Sequence, residues 1–285
     1  MHEDEPPKPQ LPTGTKRRGA QTAGGIAVAI GVMLAKAKSV LALILSWKFL
    51  LIGAKLAWPL GTMFLSLWFY AVLFGGWKIA VVFVLMILVH ELGHYTTWRN
   101  FGIPASLPRF IPGFGAFVAA PATGTPGQNV AAALAGPAFG VAAAALCWAF
   151  GWYLGEPGRP PQDRFWTGCA YIGFFINLFN LIPTPPFDGG AVAGAIDARL
   201  WIVGAVLLTL WVIFFAHTPF GIVIVLLMLL TAIPRVLAVL RGQIDPRGSG
   251  LTEGQRVATL VAYLALIGVG VAGAAATLIE RTAAT

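Results

Sequence analysis

The stretch Ile79-Ala80-Val81-Val82-Phe83-Val84-Leu85-Met86-Ile87-Leu88-Val89-His90-Glu91-Leu92-Gly93-His94 decides how the rest of the chain is read. From Ile79 to Val89 it is unbroken hydrocarbon, and it ends on three ionisable side chains in five positions. Residues i and i+4 share one face of a helix, so the imidazoles of His90 and His94 can reach a single metal ion. Glu91 points slightly round the helix, near enough to touch a water on that ion. This is the H-E-x-x-H arrangement of zinc hydrolases, in which the glutamate is the general base. Such a string also arises by chance. Its setting is what weighs here, because ionisable groups within a transmembrane helix are costly and mark function.

The composition places that helix in a membrane. Of 285 residues, 58% are hydrophobic and 11% charged, with a mean hydropathy of +0.79. Those values exclude an ordinary soluble domain. The net charge of +8 is scattered between apolar runs, so it reads as membrane topology and not as nucleic-acid binding. Cys147 and Cys169 both fall in apolar runs and are expected to be buried free thiols. No internal repeat is detectable.

Residues 1–24 are polar, Pro-rich and basic, and are expected to form a disordered cytoplasmic tail. A signal peptide is rejected for the segment after Arg18, because its apolar part is short and Gly-rich. Residues 25–58 carry Lys38, Lys48 and Lys55 among apolar residues and are expected to form an interfacial amphipathic helical region. If they spanned the membrane instead, everything downstream would invert. About seven spans are expected in an all-α polytopic fold: Leu60–Gly76, Trp77–Trp98, 127–153, 165–182, 191–216, 219–240 and 256–279. A Pro/Gly-rich connection at 102–126 contains a short β-hairpin or re-entrant segment near the active site. With the N-terminus inside, fifteen of the nineteen Lys and Arg residues face the cytoplasm; Lys78, Arg159, Arg164 and Arg281 face out. That asymmetry supports the orientation. It sets His90 roughly 18 Å from the outer surface at 1.5 Å per residue, buried toward the cytoplasmic side.

Catalytic zinc takes three protein ligands and a water. His2 lies in the tail and His217 at the wrong end of a span, so the third ligand should be an acid or a thiol. Most acids lie in tails or loops, which leaves Asp188 and Asp197. Asp188 follows Asn180-Leu181-Ile182-Pro183-Thr184-Pro185-Pro186-Phe187 and precedes Gly189-Gly190. The prolines must break the fourth span, and the glycines permit a tight turn. Irregular backbone at that depth is tolerated only against protein or a cavity. An aspartate delivered by such a break suits a metal ligand, with helix capping as the alternative, and Asp197 reads as an interfacial charge near Arg199.

His90-Glu91-Leu92-Gly93-His94 together with Asn180-x-x-Pro183-x-x-Pro186-x-Asp188-Gly189-Gly190 resembles the site-2 protease family of intramembrane zinc metalloproteases. The resemblance covers about residues 60–200, with residues 201–285 as additional C-terminal helices. It implies one zinc per chain held by His90, His94 and Asp188, with Glu91 activating water and Asn180 beside the substrate. Ala135-Gly136-Pro137 also resembles a family element, or is simply a close helix contact. The segment Gly113–Pro121 reads as a hairpin edge able to pair with an unwound substrate, or as a plain interfacial loop. Gly115, Ala116, Phe117 and Asn177 are the expected substrate contacts.

The expected partners are a single-pass transmembrane protein substrate and the lipid bilayer. No nucleic acid, ATP, inserted PDZ domain or nucleotide-sensing domain is expected. The expected location is the inner membrane of a bacterial cell, with the active site toward the cytoplasm. A membrane metal transporter or an inactive family member acting as a binding protein are the alternatives. Glu91 argues against both, because neither needs a base beside the metal.

Overall fold

Four helices, packed through small residues, hold the region around the His pair in the computed structural model. It describes residues 36, 38, 53, 55–121, 123–160, 163–215 and 218–278. The chain divides into residues 1–57 and 58–285. The expected tail at 1–24 and nearly all of the interfacial region at 25–58 lie outside the described residues.

The helices are α1 (Lys55–Phe74), α2 (Trp77–Asn100), α3 (Pro126–Tyr153), α4 (Phe165–Asn180), α5 (Asp188–Asp197), α6 (Leu200–Phe215), α7 (Pro219–Leu240) and α8 (Glu253–Thr277). Strands β1 (Arg109–Ile111) and β2 (Gly115–Phe117) form an antiparallel hairpin between α2 and α3. Among the described residues, α1, α2, α3, α7 and α8 are long and apolar enough to cross a membrane. Helices α4 and α6 have 16 residues each. At about 1.5 Å per residue they fall short of a hydrocarbon core of about 30 Å.

The expected seven spans are therefore five full-length helices and two short ones, and several boundaries move. Helix α4 ends at Asn180 and not at 182, where Leu181 begins the Pro-rich turn. The span expected at 191–216 is two helices. Its first part, α5, starts at Asp188, and the chain breaks at Ala198–Arg199. There the Ala198 amide donates to the Pro246 carbonyl and the Arg199 amide to the Asp197 carboxylate. Such bonds compete with continued helix. Helices α3 and α8 begin slightly early for the same local reason. Thr125 with Gln128, and Thr252 with Gln255, form reciprocal caps of the S/T-x-x-E/Q type.

Helix α3 is the centre of the packing. Ala132, Gly136, Gly140 and Ala144 recur every four residues and are buried on one face. With no large side chain there, α2 and α4 approach closely, as small-residue seams allow in membranes. A Cβ on Gly93 of α2 would meet the Ala135 carbonyl oxygen at 2.4 Å, and one on Gly173 of α4 would meet the Ala144 Cβ at 2.8 Å. Helix α8 packs on α3, α4 and α5, with Gly270 against Leu178 and Gly273 against Phe174. Cys147 and Cys169 are free thiols in an apolar cluster with α1 and α2.

Helix α4 starts at an unusual cap. The carboxylate of Glu156, in the turn after α3, accepts from the backbone amides of Trp166 and Thr167 and from the Thr167 hydroxyl, each at 2.9 Å.

Candidate metal centre and active site

His90 and His94 face α3 and are buried. The first turn of α5 brings Asp188 to them. The His90 and His94 Nε2 atoms are 3.1 Å apart, and Asp188 Oδ2 lies 2.9 Å from the first and 3.3 Å from the second. Three ligands of one tetrahedral zinc, with bonds of about 2.0–2.2 Å, stand roughly 3.3–3.6 Å from each other. The three atoms form nearly that triangle, so the donor set fits zinc in both chemistry and spacing. The Glu91 carboxylate lies within 4.8 Å of the two imidazole nitrogens, beside the triangle, and next to the Val118 amide that follows β2.

The other side of each imidazole is tied down. His94 Nδ1 lies 2.7 Å from the Ala132 carbonyl oxygen, which can only accept. His90 Nδ1 lies 2.8 Å from Asn177 Oδ1. The Asn177 amide is oriented by its own Nδ2, which donates to the Gly173 carbonyl at 2.7 Å. Both Nδ1 atoms are thus donors, and both Nε2 lone pairs face the triangle. Such outer partners fix the tautomer and direction of metal-binding histidines.

Close packing by α3 is what makes room for this. A Cβ on Gly136 would lie 2.3 Å from His94 Nε2 and 2.9 Å from His90 Nε2, and one on Gly140 would lie 2.2 Å from the Asn177 amide. The Ala135-Gly136-Pro137 element is a close helix contact, and Gly136 lies against the Nε2 edges of both imidazoles.

Asp188 is delivered by the break between α4 and α5. The peptide bond Pro185–Pro186 is cis. A Cβ on Gly189 would meet the Leu181 carbonyl carbon at 2.3 Å, and one on Gly190 the Thr184 carbonyl carbon at 2.3 Å. The turn therefore folds tightly over the start of α5. The Tyr263 hydroxyl of α8 donates to the Leu181 carbonyl, and Trp201 Nε1 donates to the Gly190 carbonyl at 2.7 Å.

A cavity of about 570 Å³ opens on one side of the triangle. Its polar wall is His90, Glu91, Asn180 and Thr231; most of the rest is apolar, with the aromatic rings of Tyr70, Phe83, Phe179 and Trp211 among it. Gly115, Ala116 and Phe117 line it. Asn180 turns its amide nitrogen to the Ile176 carbonyl at 3.1 Å, which leaves a second hydrogen free. Asn177 sits behind His90, fully buried and away from the cavity wall. Asn177 precedes Asn180 by three residues, so the two are neighbours on one helix, and that spacing alone does not tell which of them backs an imidazole.

The hairpin has a directional edge. Phe110 pairs with Ala116, and its amide donates instead to Thr62 Oγ1 of α1 at 3.3 Å. Residues of such a non-hydrogen-bonded pair point their N–H and C=O away from each other. Ala116 therefore presents both groups on the outer side of β2. The Tyr70 hydroxyl lies against the amides of Gly113 and Gly115 and ties the hairpin turn to α1.

Two comparisons bear on this arrangement. Residues 78–157, which contain the His pair and the Gly136 seam, match the model of peptidase family M50, the site-2 protease family. A protein of Methanocaldococcus jannaschii named "Putative zinc metalloprotease" is 34% identical over 126 residues. Over these segments the chain is similar to this family and to that relative. The alignment takes in 37% of the chain and 63% of that relative, so the chain spans less than two thirds of the relative's length. The five long apolar helices among the described residues fit an integral membrane protein.

Proposed function

We propose that the chain is an intramembrane zinc endopeptidase that cuts within or near transmembrane segments of membrane-protein substrates, with one zinc per chain. The observation that carries this is the meeting of a zinc-type ligand triangle with an apolar cavity at a single carboxylate, Glu91. When bound, zinc supplies a Lewis acid that acidifies water and polarises the scissile carbonyl. Glu91 takes the proton from that water and hands it to the leaving amine. The free hydrogen of Asn180 serves the developing oxyanion. A helix hides its peptide bonds in its own i to i−4 hydrogen bonds, so a helical substrate segment must unwind before it is cut. The substrate enters unwound and pairs with Ala116 on the outer edge of β2 as an added strand. The basic asymmetry of the loops supports a site toward the cytoplasm.

The test is Glu91→Gln, which keeps the shape and cannot accept the proton. Cleavage of a single-pass substrate in reconstituted vesicles is expected to fall by at least about 10²-fold, as for a lost general base. Zinc content should stay near one per chain. Intact cleavage with lost zinc flux across the vesicle would replace the protease with a transporter.

A further inference from the structure

Helix α5 presents the aspartate of the metal triangle, yet its sequence is a poor helix. Asp188–Asp197 is ten residues long with glycine at 189, 190 and 194 and no side chain larger than isoleucine. A helix this short does not hold itself together in isolation, and each glycine weakens it further. Something outside α5 must set its axis, and with it the position of Asp188.

The far end of α5 supplies a candidate. Arg256 is buried and belongs to the first turn of α8, where the helix macrodipole disfavours a cation. Its guanidinium leaves α8 and reaches the last turn of α5. Nη1 donates to the Ala195 carbonyl at 3.0 Å and to the Ile196 carbonyl, and Nη2 donates to the Arg247 carbonyl at 2.5 Å. A cation at that end of α5 is favoured by the dipole, and those carbonyls have no partners within the helix. The Ser249 hydroxyl adds a bond to the Ala195 carbonyl at 2.7 Å. The Pro246 carbonyl accepts from the Ala198 amide at 2.9 Å. Arg247 and Glu253 complete the cluster, with Arg247 Nε 3.5 Å from Asp197 and Arg256 Nε 3.6 Å from Glu253.

We propose that Arg256 is a positioning residue for the Asp188 ligand, acting through α5. It rests on the zinc-site reading above. One fork grips the carbonyl end of a short, glycine-rich helix, and the opposite end of that helix carries the ligand. Loss of the fork lets α5 shift along its axis and takes Asp188 out of the triangle, while His90 and His94 remain on α2.

The experiment measures zinc affinity of the full-length, detergent-solubilised chain by chelator competition. Unfolding of the metal-free protein gives the folded fraction. Arg256→Ala is expected to weaken zinc about tenfold, the lower end of the range for outer partners of a metal site. Arg256→Lys should recover part of the loss, and Ser249→Ala should cost a few-fold. Asp188→Asn is the reference for a lost ligand. A structural role alone would lower the unfolding midpoint and leave the affinity of the folded fraction unchanged, and that result overturns the proposal. If Arg256→Ala does not fold, Ser249→Ala and Arg256→Lys decide the matter, because wild-type affinity in both overturns it. If Asp188→Asn also binds zinc like the wild type, the zinc-site reading itself fails and the proposal falls with it.

Discussion

Substituting Gly136 by alanine puts a methyl group 2.3 Å from His94 Nε2, 2.4 Å from His94 Cε1 and 2.9 Å from His90 Nε2. Ordinary contact between such atoms is about 3.5 Å, so the His94 ring must retreat by about 1 Å. Zinc sites tolerate about 0.2 Å. Retreat also strains the Nδ1 bond to the Ala132 carbonyl. Zinc affinity is expected to fall at least 100-fold, which corresponds to about 2.7 kcal/mol. The metal-free fold should hardly change, because the three nearest atoms are ends of side chains. Alanine also gains up to about 1 kcal/mol over glycine within a helix, which offsets the strained imidazole bond. Gly93→Ala is the contrasting case. Its methyl meets the Ala135 carbonyl oxygen at 2.4 Å and the Gly136 Cα at 3.0 Å, so α2 and α3 themselves must part. That variant should lose about 1–3 kcal/mol of stability with or without metal. The assay is chelator competition for zinc beside thermal unfolding of the metal-free protein. Wild-type zinc affinity in Gly136→Ala would refute the geometry of the site.

Other outcomes are expected. Asn177→Ala frees the His90 ring and should weaken zinc by about 10–100-fold, read by the same competition, whereas a residue that only touches substrate would leave it unchanged. For Glu156, burial raises the carboxyl pKa, but the amides of Trp166 and Thr167, the Thr167 hydroxyl and Arg159 outweigh it, and the net shift is downward. Its stabilisation is therefore complete above the ordinary value of 4.5 and fades as pH falls through the lower folded value. Glu156→Gln should lose about 1–2 kcal/mol at pH 7, and the gap to wild type should close in acid, as followed by unfolding midpoints. On topology, a cysteine placed at 245 should label only from the cytoplasmic side and one at 160 only from outside; the reverse pattern would invert the orientation.

Much of this was legible in the chain itself, for reasons of local chemistry. An unbroken apolar run must be a buried or membrane helix, and helical periodicity alone puts His90 and His94 on one face. Three prolines and two glycines around Asp188 must interrupt a helix, so the sequence placed an irregular turn there before any packing was known.

What tertiary structure decided are the relations between segments far apart in sequence. Sequence spacing does not tell which of Asn177 and Asn180 backs an imidazole and which lines a cavity. That depends on how α4 rotates against α2, which the contacts of Gly140 with Asn177 and of Gly173 with Ala144 and Met86 set. Nor does the chain reveal that the span expected at 191–216 breaks at Ala198, because the bonds that end α5 come from Pro246, Ser249 and Arg256, some fifty residues later. A buried arginine and an exposed loop arginine look alike in a sequence. They differ only in which carbonyls the folded chain brings within reach.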